Sequence, residues 1–379
     1  MSVLSGYKVI ELAGMGPCPM AGMMLADMGA EVIRVERSTQ RDTLYRCDIS
    51  ARGKKSIVLN IKTEGGREAL LRLVASADVL IEGYRPGVAE KLGIGPEVCW
   101  QHNPALIYGR MTGWGQTGPL SQAAGHDINY IALTGALYGI GRPGQRPAIP
   151  INLIGDFGGG AMFLVAGVLA ALLEANNSGK GQVVDAAMVD GVANLMWMCH
   201  SFHAAGVWNS EERGTNLLDG GAFFYDTYET SDGKYIAIGA IEPQFYSQLI
   251  ALTGLDSGDF AVQSQYDETR WENYREQLTE LFKCKTRDEW CELLEATDAC
   301  FAPVLDLQEA PQHTHNLARN TYCEINDLLQ PAPAPRFSRT PSTLTHNQRS
   351  PGQDTEAILA AAGYSSQDIA GLREDGCIA

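Results

Sequence analysis

The sequence is poor in positive charge. Its 379 residues carry 29 Lys and Arg against 45 Asp and Glu, which gives a formal net charge of −16 at pH 7. Proteins that bind nucleic acids rely on clustered Lys and Arg to contact phosphates. The charge balance therefore argues against a nucleic-acid partner. It is still compatible with a small phosphorylated ligand in a local basic pocket.

Several motifs of common enzyme classes are missing. The sequence has no Gly-x-Ser-x-Gly turn, which weighs against a serine hydrolase. Histidines near positions 200 and 313 do not form a full ligand set at a spacing typical of metal sites. The loop after the first predicted strand has Gly14 and Gly16 but no third glycine at the offset of a dinucleotide fingerprint. We therefore do not expect NAD at this loop.

Disulfide spacing and long apolar runs are also absent. The nine cysteines are an odd number without metal-ligand spacing, which favours free thiols in a reducing compartment. The longest uninterrupted apolar run, 161–173, is shorter than the roughly 20 residues that a membrane helix needs. Lys8 and Glu11 interrupt the beginning of the sequence, and no signal-peptide core is visible. We expect a cytoplasmic protein without membrane insertion.

The first half alternates strand-like and helix-like segments. Apolar strand-like runs lie at 8–13, 31–36, 56–61, 78–83 and 106–113, and helical patterns separate them. Such alternation is typical of a parallel sheet covered by helices. The sequence predicts an α/β fold with a large Rossmann-like domain.

The second half has a different pattern. Alternating residues and an Asp-Gly turn predict a β-hairpin over 223–240, and helical patterns fill 243–298. We predict a large α/β domain over 1–208 and a small α+β domain over 209–329. The remaining segment, 330–379, is predicted to return to the large domain.

Asp156 stands in an unusual setting. Gly155 precedes it, three glycines follow at 158–160, and the position is predicted to join a strand at 151–154 to a buried helix. Each glycine weakens a helix by about 1 kcal/mol relative to alanine. The benefit would be close approach of a thioester oxygen to backbone N–H groups that stabilise developing negative charge. The alternative is that Asp156 serves only as a helix N-cap.

His126 lies in the stretch GHDINY, with Asp127 beside it. A lone loop histidine is commonly a structural residue held by hydrogen bonds. Alternatively, an imidazole and the Asp156 carboxylate on opposite sides of one carbon would suit removal of a proton from one face and its return to the other. The spacing leaves both interpretations open.

Methionines are dense near the N-terminus. Met15, Met20, Met23, Met24 and Met28 fall within 14 positions of one another. Core filling is the usual role of such residues. The alternative is a pliable apolar surface for variable acyl chains, because methionine adapts its shape.

Long ordered motifs resemble a known family. They are VIELAGMGPCPMAGMMLADMGAEVIRVER, IEGYRPGVAEKLGIGPE, RMTGWGQTGP, GHDINY, GDFGGG, SGKGQVVDAAMVDG and GAIEPQFY. These stretches resemble the family III CoA-transferase superfamily (CaiB/BaiF type) and, within it, the α-methylacyl-CoA racemases. The similarity covers nearly the whole chain.

The resemblance implies an interlocked homodimer, with each active site between one large domain and the partner's small domain. It places CoA on the large domain. The implied contacts to the nucleotide or phosphates are Arg37, Lys55, the backbone of Val58, and Arg85. Gly125, His126 and Tyr130 would lie along the pantetheine and the thioester.

The resemblance also implies the chemistry. The racemases pair the aspartate of GDFGGG, here Asp156, with the histidine of GHDINY, here His126, as acid–base groups. Glu242 of the partner subunit would form a hydrogen bond near His126. We expect the backbone N–H of Asp156 to help stabilise an enolate, and the helix N-terminus to keep its carboxylate ionised. The substrate would be an acyl-CoA, and the reaction needs no metal or redox cofactor.

Two other functions stay open at this point. The transferases of the superfamily use an aspartate as nucleophile, and Asp156 fits that role as well. A third alternative is an acyl-CoA-binding protein without activity. The acyl chain itself is not specified by the sequence.

Overall fold

The chain folds into two compact units. The computed structural model describes residues 2–37, 47–256, 258–325, 327–342, 344 and 349–379. Unit 1 comprises Met1–Thr134, Pro150–Met196 and Tyr322–Ala379, and unit 2 comprises Gly135–Ile149 and Trp197–Thr321.

The described residues form eleven strands in three sheets. The strands are β1 (Lys8–Leu12), β2 (Glu31–Glu36), β3 (Lys54–Val58), β4 (Val79–Glu82), β5 (Ile107–Thr112), β6 (Val183–Ala187), β7 (Tyr225–Glu229), β8 (Tyr235–Gly239), β9 (Phe301–Val304), β10 (Tyr322–Ile325) and β11 (Leu328–Pro331).

Fifteen α-helices are found in the same residues. They are α1 (Pro17–Asp27), α2 (Glu64–Val74), α3 (Val88–Lys91), α4 (Pro96–His102), α5 (Asp127–Leu133), α6 (Ala136–Gly139), α7 (Met162–Ser178), α8 (Met188–Leu195), α9 (Trp197–Ala204), α10 (Pro243–Thr253), α11 (Trp271–Phe282), α12 (Arg287–Leu294), α13 (Thr314–Arg319), α14 (Thr355–Ala361) and α15 (Ser366–Glu374). A π-helix, Leu153–Ala161, directly precedes α7.

Unit 1 is built on a six-stranded parallel sheet. The strand order is β3-β2-β1-β4-β5-β6, and all five neighbouring pairs run parallel. The central strands are apolar on both faces because helices cover both sides, as is usual for parallel sheets. The predicted α/β fold with a Rossmann-like parallel sheet is confirmed.

The last segment of the chain packs against β3. The backbone N–H of Ser56 donates to Asp354 Oδ2 at 2.9 Å. Leu59 forms an antiparallel bridge with Ile378. Residues Ile358 and Leu359 of α14 are buried in the core on that face of the sheet. These contacts hold the chain's C-terminal part in unit 1.

Unit 2 contains an antiparallel sheet of the order β7-β8-β9. Strands β7 and β8 form the hairpin predicted over 223–240, with Tyr225 opposite Gly239. Its core is rich in aromatic side chains that meet edge to face, for example Phe223 with Tyr246 at 5.9 Å between ring centroids. This cluster gives unit 2 its own hydrophobic core.

The structure corrects one expected element. No strand forms at 151–154, where the structure places the start of the π-helix instead. Ile151 has a left-handed backbone (φ 59°), and Ile151 and Leu153 are 71% and 57% exposed. These apolar residues are exposed and do not pair with any sheet. The apolar pattern alone therefore predicted a strand wrongly.

The compact units also differ from the predicted segments. Residues 135–149 belong to unit 2, although the prediction assigned 1–208 to the large domain. The chain passes into unit 2 again at Trp197 and leaves it after Thr321. Local patterns do not reveal such an exchange between units.

One helical stretch of the described residues, Leu153–Ser178, is long and apolar enough to cross a membrane by length and composition. A core helix passes the same test, and Leu164, Val165 and Val168 of this stretch are buried in unit 1. Within the part of the chain that the structure describes, no group of three or more His, Cys, Asp or Glu could hold a metal ion.

Candidate active site

The candidate site lies where the strand order of the sheet reverses. Strand β1 is flanked by β2 on one side and β4 on the other, so the loops after β1 and β4 diverge. Ligands of open α/β sheets bind at such a point, outside the carboxyl ends of the strands. The two loops contain Gly14–Gly16 and Gly83–Arg85.

Two cavities meet at this point. One, of 290 Å³, is lined by both loops and by His126 and Tyr130. The other, of 1010 Å³, is lined by Arg37, Asn152 and the N-terminal part of α1. Gly14 and Met15 line both cavities. The two neighbouring cavities, called the cleft below, lie at the carboxyl edge of the sheet.

His126 is placed by the start of α5. It occupies the N-cap position with an extended backbone (φ −134°, ψ 174°). Its backbone N–H donates to Asn129 Oδ1 at 3.0 Å. The residue is exposed and lines the smaller cavity. The imidazole is therefore accessible to a ligand in the cleft.

Asp156 lies in the first turn of the π-helix. Its Oδ2 accepts a hydrogen bond from Asn152 Nδ2 at 3.0 Å, and the residue is half-buried. Burial raises the pKa of its carboxyl, while the Asn152 hydrogen bond and the nearby His126 oppose the increase. This direction is opposite to the one that a helix N-terminus alone would give. The backbone N–H of Asp156 donates to the carboxylate of Asp127, the residue next to His126, at 2.8 Å, so the two segments are in contact.

Glycines set the position of the π-helix. A Cβ atom on Gly159 would lie 2.7 Å from the backbone nitrogen of Val192 in α8. A Cβ atom on Gly191 would overlap the carbonyl of Gly159. The two helices therefore cross backbone to backbone, which only glycine permits. Close helix packing is one physical reason for the glycines that follow Asp156.

Asp127 connects the two candidate acid–base residues. Its Oδ2 accepts hydrogen bonds from the backbone N–H groups of Gly155 at 2.6 Å and Asp156 at 2.8 Å. The expectation that the Asp156 N–H stabilises an enolate is therefore wrong for this structure, because a carboxylate already occupies that donor. The sequence placed Asp127 beside His126 but gave no sign of this contact.

Tyr130 and Gly125 form one wall of the smaller cavity. The hydroxyl of Tyr130 donates to the carbonyl of Gly125, and its ring meets Trp114 edge to face at 4.8 Å. A Cβ atom on Gly125 would lie 2.8 Å from the Tyr130 ring. Burial raises the pKa of Tyr130. The tyrosine thus serves as a neutral, fixed wall.

The two predicted arginines lie on the two sides of the cleft. Arg37 lines the larger cavity and Arg85 the smaller one, and both are exposed. The Arg37 guanidinium lies 5.5 Å from the centre of the Tyr84 ring. An exposed guanidinium can form paired hydrogen bonds to phosphate oxygens. Both residues are suitably placed to bind the anionic part of a ligand.

Lys55 and Val58 are not brought to this cleft. Lys55 is the second residue of β3, near the amino-terminal edge of the sheet, and its Nζ pairs with Glu31. The backbone N–H of Val58 is buried and donates to Thr355 Oγ1 at 3.3 Å. Neither residue lines the two cavities. Their contact with a nucleotide stays a prediction, and their positions outside the two cavities do not favour it.

A buried ion pair lies below the cleft. Lys54 Nζ contacts Glu11 Oε2 at 2.5 Å, and both side chains are fully buried. Burial raises the pKa of Glu11 and lowers that of Lys54, against their mutual attraction. A Cβ atom on Gly22 of α1 would lie 2.9 Å from Lys54 Nζ. The sequence motif Lys-Lys-Ser did not distinguish this buried lysine from exposed Lys55.

Glu242 lies in unit 2. It is the N-cap of α10, and its carbonyl accepts the N–H groups of Phe245 at 3.0 Å and Tyr246 at 2.9 Å. The residue is exposed, and its charge contributes to the raised pKa of Cys300. Its carboxylate is thus accessible on the surface of unit 2.

Known proteins of one family are similar to this chain over almost its whole length. The sequence profile described as CoA-transferase family III matches residues 4–355. The chain is 46% identical over 378 residues to an alpha-methylacyl-CoA racemase of Mus musculus, covering 98% of this chain and 97% of the relative. It is 43% identical to the alpha-methylacyl-CoA racemase of Homo sapiens, covering 99% and 97%.

A solved structure has the same fold. The crystal structure of a CAIB/BAIF family protein from Brucella suis superimposes with a TM-score of 0.81 at 28% identity, covering 95% of this chain and 99% of that one. The family profile and both racemases cover almost the whole sequence. The chain therefore belongs to CoA-transferase family III, as its motifs predict.

Proposed function

We propose that this chain is an α-methylacyl-CoA racemase, which interconverts the (2R) and (2S) epimers of 2-methylacyl-CoA thioesters. The observation that carries the proposal is the contact between the segments of His126 and Asp156: Asp127, directly after His126, accepts the backbone N–H of Asp156 at 2.8 Å. The similarity to two racemases over almost the full length supports the same activity.

The proposed mechanism uses two bases. The thioester makes the α-proton acidic, and neutral His126 or ionised Asp156 removes it, depending on the bound epimer. The resulting enolate then receives a proton on its opposite face from the other residue, which entered the cycle protonated. A raised pKa makes Asp156 a stronger base than an ordinary aspartate and a better match to neutral pH. Proton transfer of this kind needs no metal or redox cofactor.

CoA is proposed to lie along the two-part cleft. Arg37 and Arg85 would bind its phosphates. Gly125 and Tyr130 would line the pantetheine and thioester. Because both arginines are exposed and line the cavities, phosphate binding would need little rearrangement of the chain.

We further propose a homodimer in which Glu242 of the partner subunit supports His126. Helix α9 has no buried residue, although it contains an apolar tryptophan, Trp197, that is 65% exposed. Met162 and Leu195 of unit 1 are 45% and 47% exposed. A second copy of the chain would cover such surfaces. The free state of all nine cysteines supports a reducing, cytoplasmic location.

The activity is tested by incubating one pure epimer of a 2-methylacyl-CoA with the protein in deuterium oxide. NMR detects deuterium at the α-carbon, and chiral analysis measures the two epimers. A racemase yields both epimers with deuterium at that carbon. Unchanged substrate in this assay would refute the proposal.

The alternative is a CoA-transferase with Asp156 as nucleophile, a chemistry named in the family description. The same incubation with an added carboxylic acid distinguishes the two activities. Transfer of CoA to that acid, without α-proton exchange, would establish the transferase. Tight binding with neither reaction would indicate an acyl-CoA-binding protein.

A further inference from the structure

The side chain of Asp127 is buried between the two segments that carry the acid–base residues. It is the first residue of α5, directly after His126, and is 5% exposed. Its Oδ2 accepts the N–H groups of both Gly155 and Asp156. The carboxylate of Asp127 thus links the start of α5, next to His126, to the backbone of Asp156.

The contact depends on the absence of a side chain at position 155. A Cβ atom on Gly155 would lie 2.6 Å from Asp127 Oδ2 and 3.1 Å from Asp127 Cα. The first distance is too short for a real Cβ contact and the second is tighter than most, so a side chain at position 155 would push the two segments apart. The hydrogen bonds of Asp127 to this segment therefore require glycine at position 155.

The other oxygen of this carboxylate is not satisfied. Oδ1 is buried and has no hydrogen-bond partner among the described residues. Keeping a buried carboxylate with an unpaired oxygen is unfavourable for stability. A cap for two backbone N–H groups does not by itself require a charge, since an amide oxygen would serve. The charge therefore calls for a separate explanation.

We propose that Asp127 is a positioning residue for the α-proton transfer. It keeps His126 and Asp156 in fixed positions relative to one another and supplies negative charge beside the Asp156 carboxylate. This inference rests on the proposed racemase function. Asp127 acts through Asp156 rather than on the substrate.

The electrostatics agree with this geometry. The charge of Asp127 adds to burial in raising the pKa of Asp156, while His126 and the Asn152 amide act against it. Tyr130, also on α5, lies within electrostatic range of Asp156, and its own pKa is raised by burial. Without the Asp127 charge, Asp156 would be a weaker base.

The test compares Asp127→Ala with Asp127→Asn. Alanine removes both hydrogen bonds, so we expect kcat to fall about 100-fold in both directions with KM nearly unchanged, as a misplaced catalytic group would give. Asparagine keeps an acceptor oxygen and removes the charge. We expect it to restore kcat to within about tenfold of the original protein. In the direction that uses Asp156 as base, the acidic limb of the pH profile should move to lower pH.

Gly155→Ala breaks the same contact from the other side and should reproduce the loss seen with Asp127→Ala. Gly371→Ala, in helix α15 with open space around the added methyl, is its control. Asp190→Asn, an exposed aspartate in the first turn of α8, is the control for loss of charge. Unchanged kcat in Asp127→Ala and Gly155→Ala would overturn the inference. So would an Asn variant whose kcat and pH profile match those of the original protein.

Failure of the racemase proposal would be visible separately. If the unmodified protein exchanges no α-proton, carbon-13 NMR titration of the Asp156 carboxyl still tests the role of Asp127. A lower Asp156 pKa in Asp127→Asn would support the inference, and an unchanged pKa would overturn it.

Discussion

Gly16 lies directly against the carboxylate of Asp156. A Cβ atom on Gly16 would be 3.3 Å from Asp156 Oδ2, and the backbone of Gly16 is left-handed, with φ at 70°. The loop after β1 therefore touches the candidate acid–base group without any side chain between them. Gly16 itself lines the larger cavity.

The first prediction concerns this contact. Gly16→Ala should lower the free energy of unfolding by about 1–2 kcal/mol, because alanine is strained in the left-handed region. The added methyl should also press on Asp156 and reduce kcat by about tenfold, a cost typical of a slightly misplaced group. Chemical unfolding and steady-state kinetics measure the two effects.

Gly179→Ala is the matched control. Gly179 has φ at 73° and nothing within 4 Å of an added Cβ. Gly179 has ψ at 13°, where alanine is less strained than at the ψ of −120° of Gly16, so Gly179→Ala should lose no more stability than Gly16→Ala and keep full kcat. Equal kcat in both variants would show that the Gly16 contact has no effect on Asp156.

The second prediction separates the roles of the two proposed bases. His126→Ala and Asp156→Asn should each reduce interconversion of the epimers by at least about 100-fold, since general acid–base catalysis contributes roughly 10²–10⁴. Each variant retains one base and should still exchange the α-proton of one epimer with deuterium. The two variants should retain exchange with opposite epimers.

Single-epimer exchange followed by NMR checks this pattern. His102→Ala, an exposed histidine of α4 outside both cavities, should behave like the original protein. Normal racemisation by both site variants would refute the two-base assignment.

The third prediction concerns pH and the buried carboxyl of Glu82. Burial raises its pKa to about 7, although the N–H of Tyr84 and the nearby Arg110 both act to lower it. A group with a raised pKa in the folded protein binds more protons there than in the unfolded chain. Stability should therefore fall as pH rises from about 4.5 to about 7.

Glu82→Gln removes this titration and keeps an acceptor for the Tyr84 N–H. Urea unfolding measures the free energy of unfolding near pH 5 and near pH 8. The decrease between these two pH values should be smaller in Glu82→Gln than in the original protein by about 1–3 kcal/mol. Glu97→Gln, an exposed residue of α4, should leave the pH dependence as it was. The same pH slope with and without Glu82 would contradict the prediction.

The fourth prediction tests a buried ion pair whose arginine also contacts β11 in the last segment of the chain. Arg52 donates to both oxygens of Asp27, at 3.0 Å and 2.6 Å, and also to Gln330 Oε1 at 3.1 Å. Arg52→Ala leaves the Asp27 charge buried without its partner. We expect a loss of about 3–5 kcal/mol in the free energy of unfolding.

An exposed pair provides the comparison. Arg373 and Glu356 form an ion pair whose side chains are 48% and 70% exposed. Arg373→Ala should cost less than about 1 kcal/mol because water screens such pairs. Similar losses for the two arginine variants would show that burial of the Arg52 pair has no added effect.

The parallel sheet was predictable because its strands are apolar and glycines or polar turns end them. Strand β2 begins and ends where the run 31–36 predicts. The third strand lies at 54–58 instead of 56–61, so it begins two residues and ends three residues earlier than predicted. Its first residue, Lys54, is buried, and the contacts of its ammonium group with Glu11 and with the carbonyl of Pro19 make a buried lysine acceptable there.

The sequence suggested candidate site residues but not the contacts between them. Resemblance to a family pointed to His126 and Asp156, whose catalytic roles stay predictions, and His126 lines the smaller cavity. The contact of Asp127 with the Gly155 and Asp156 N–H groups joins residues that are 28 and 29 positions apart. No periodicity or spacing encodes such a contact, since it depends on how α5 and the π-helix are placed by the core.

The stretch between His126 and Asp156 leaves unit 1 and returns to it. Residues Gly135–Ile149 are part of unit 2, and unit 1 resumes at Pro150. Unit 1 is thus assembled from three stretches of chain and unit 2 from two. No single cleavage of the polypeptide or of its gene yields either unit whole. Truncation is therefore not a route to a minimal enzyme, and the two units have to be synthesised, folded and inherited together.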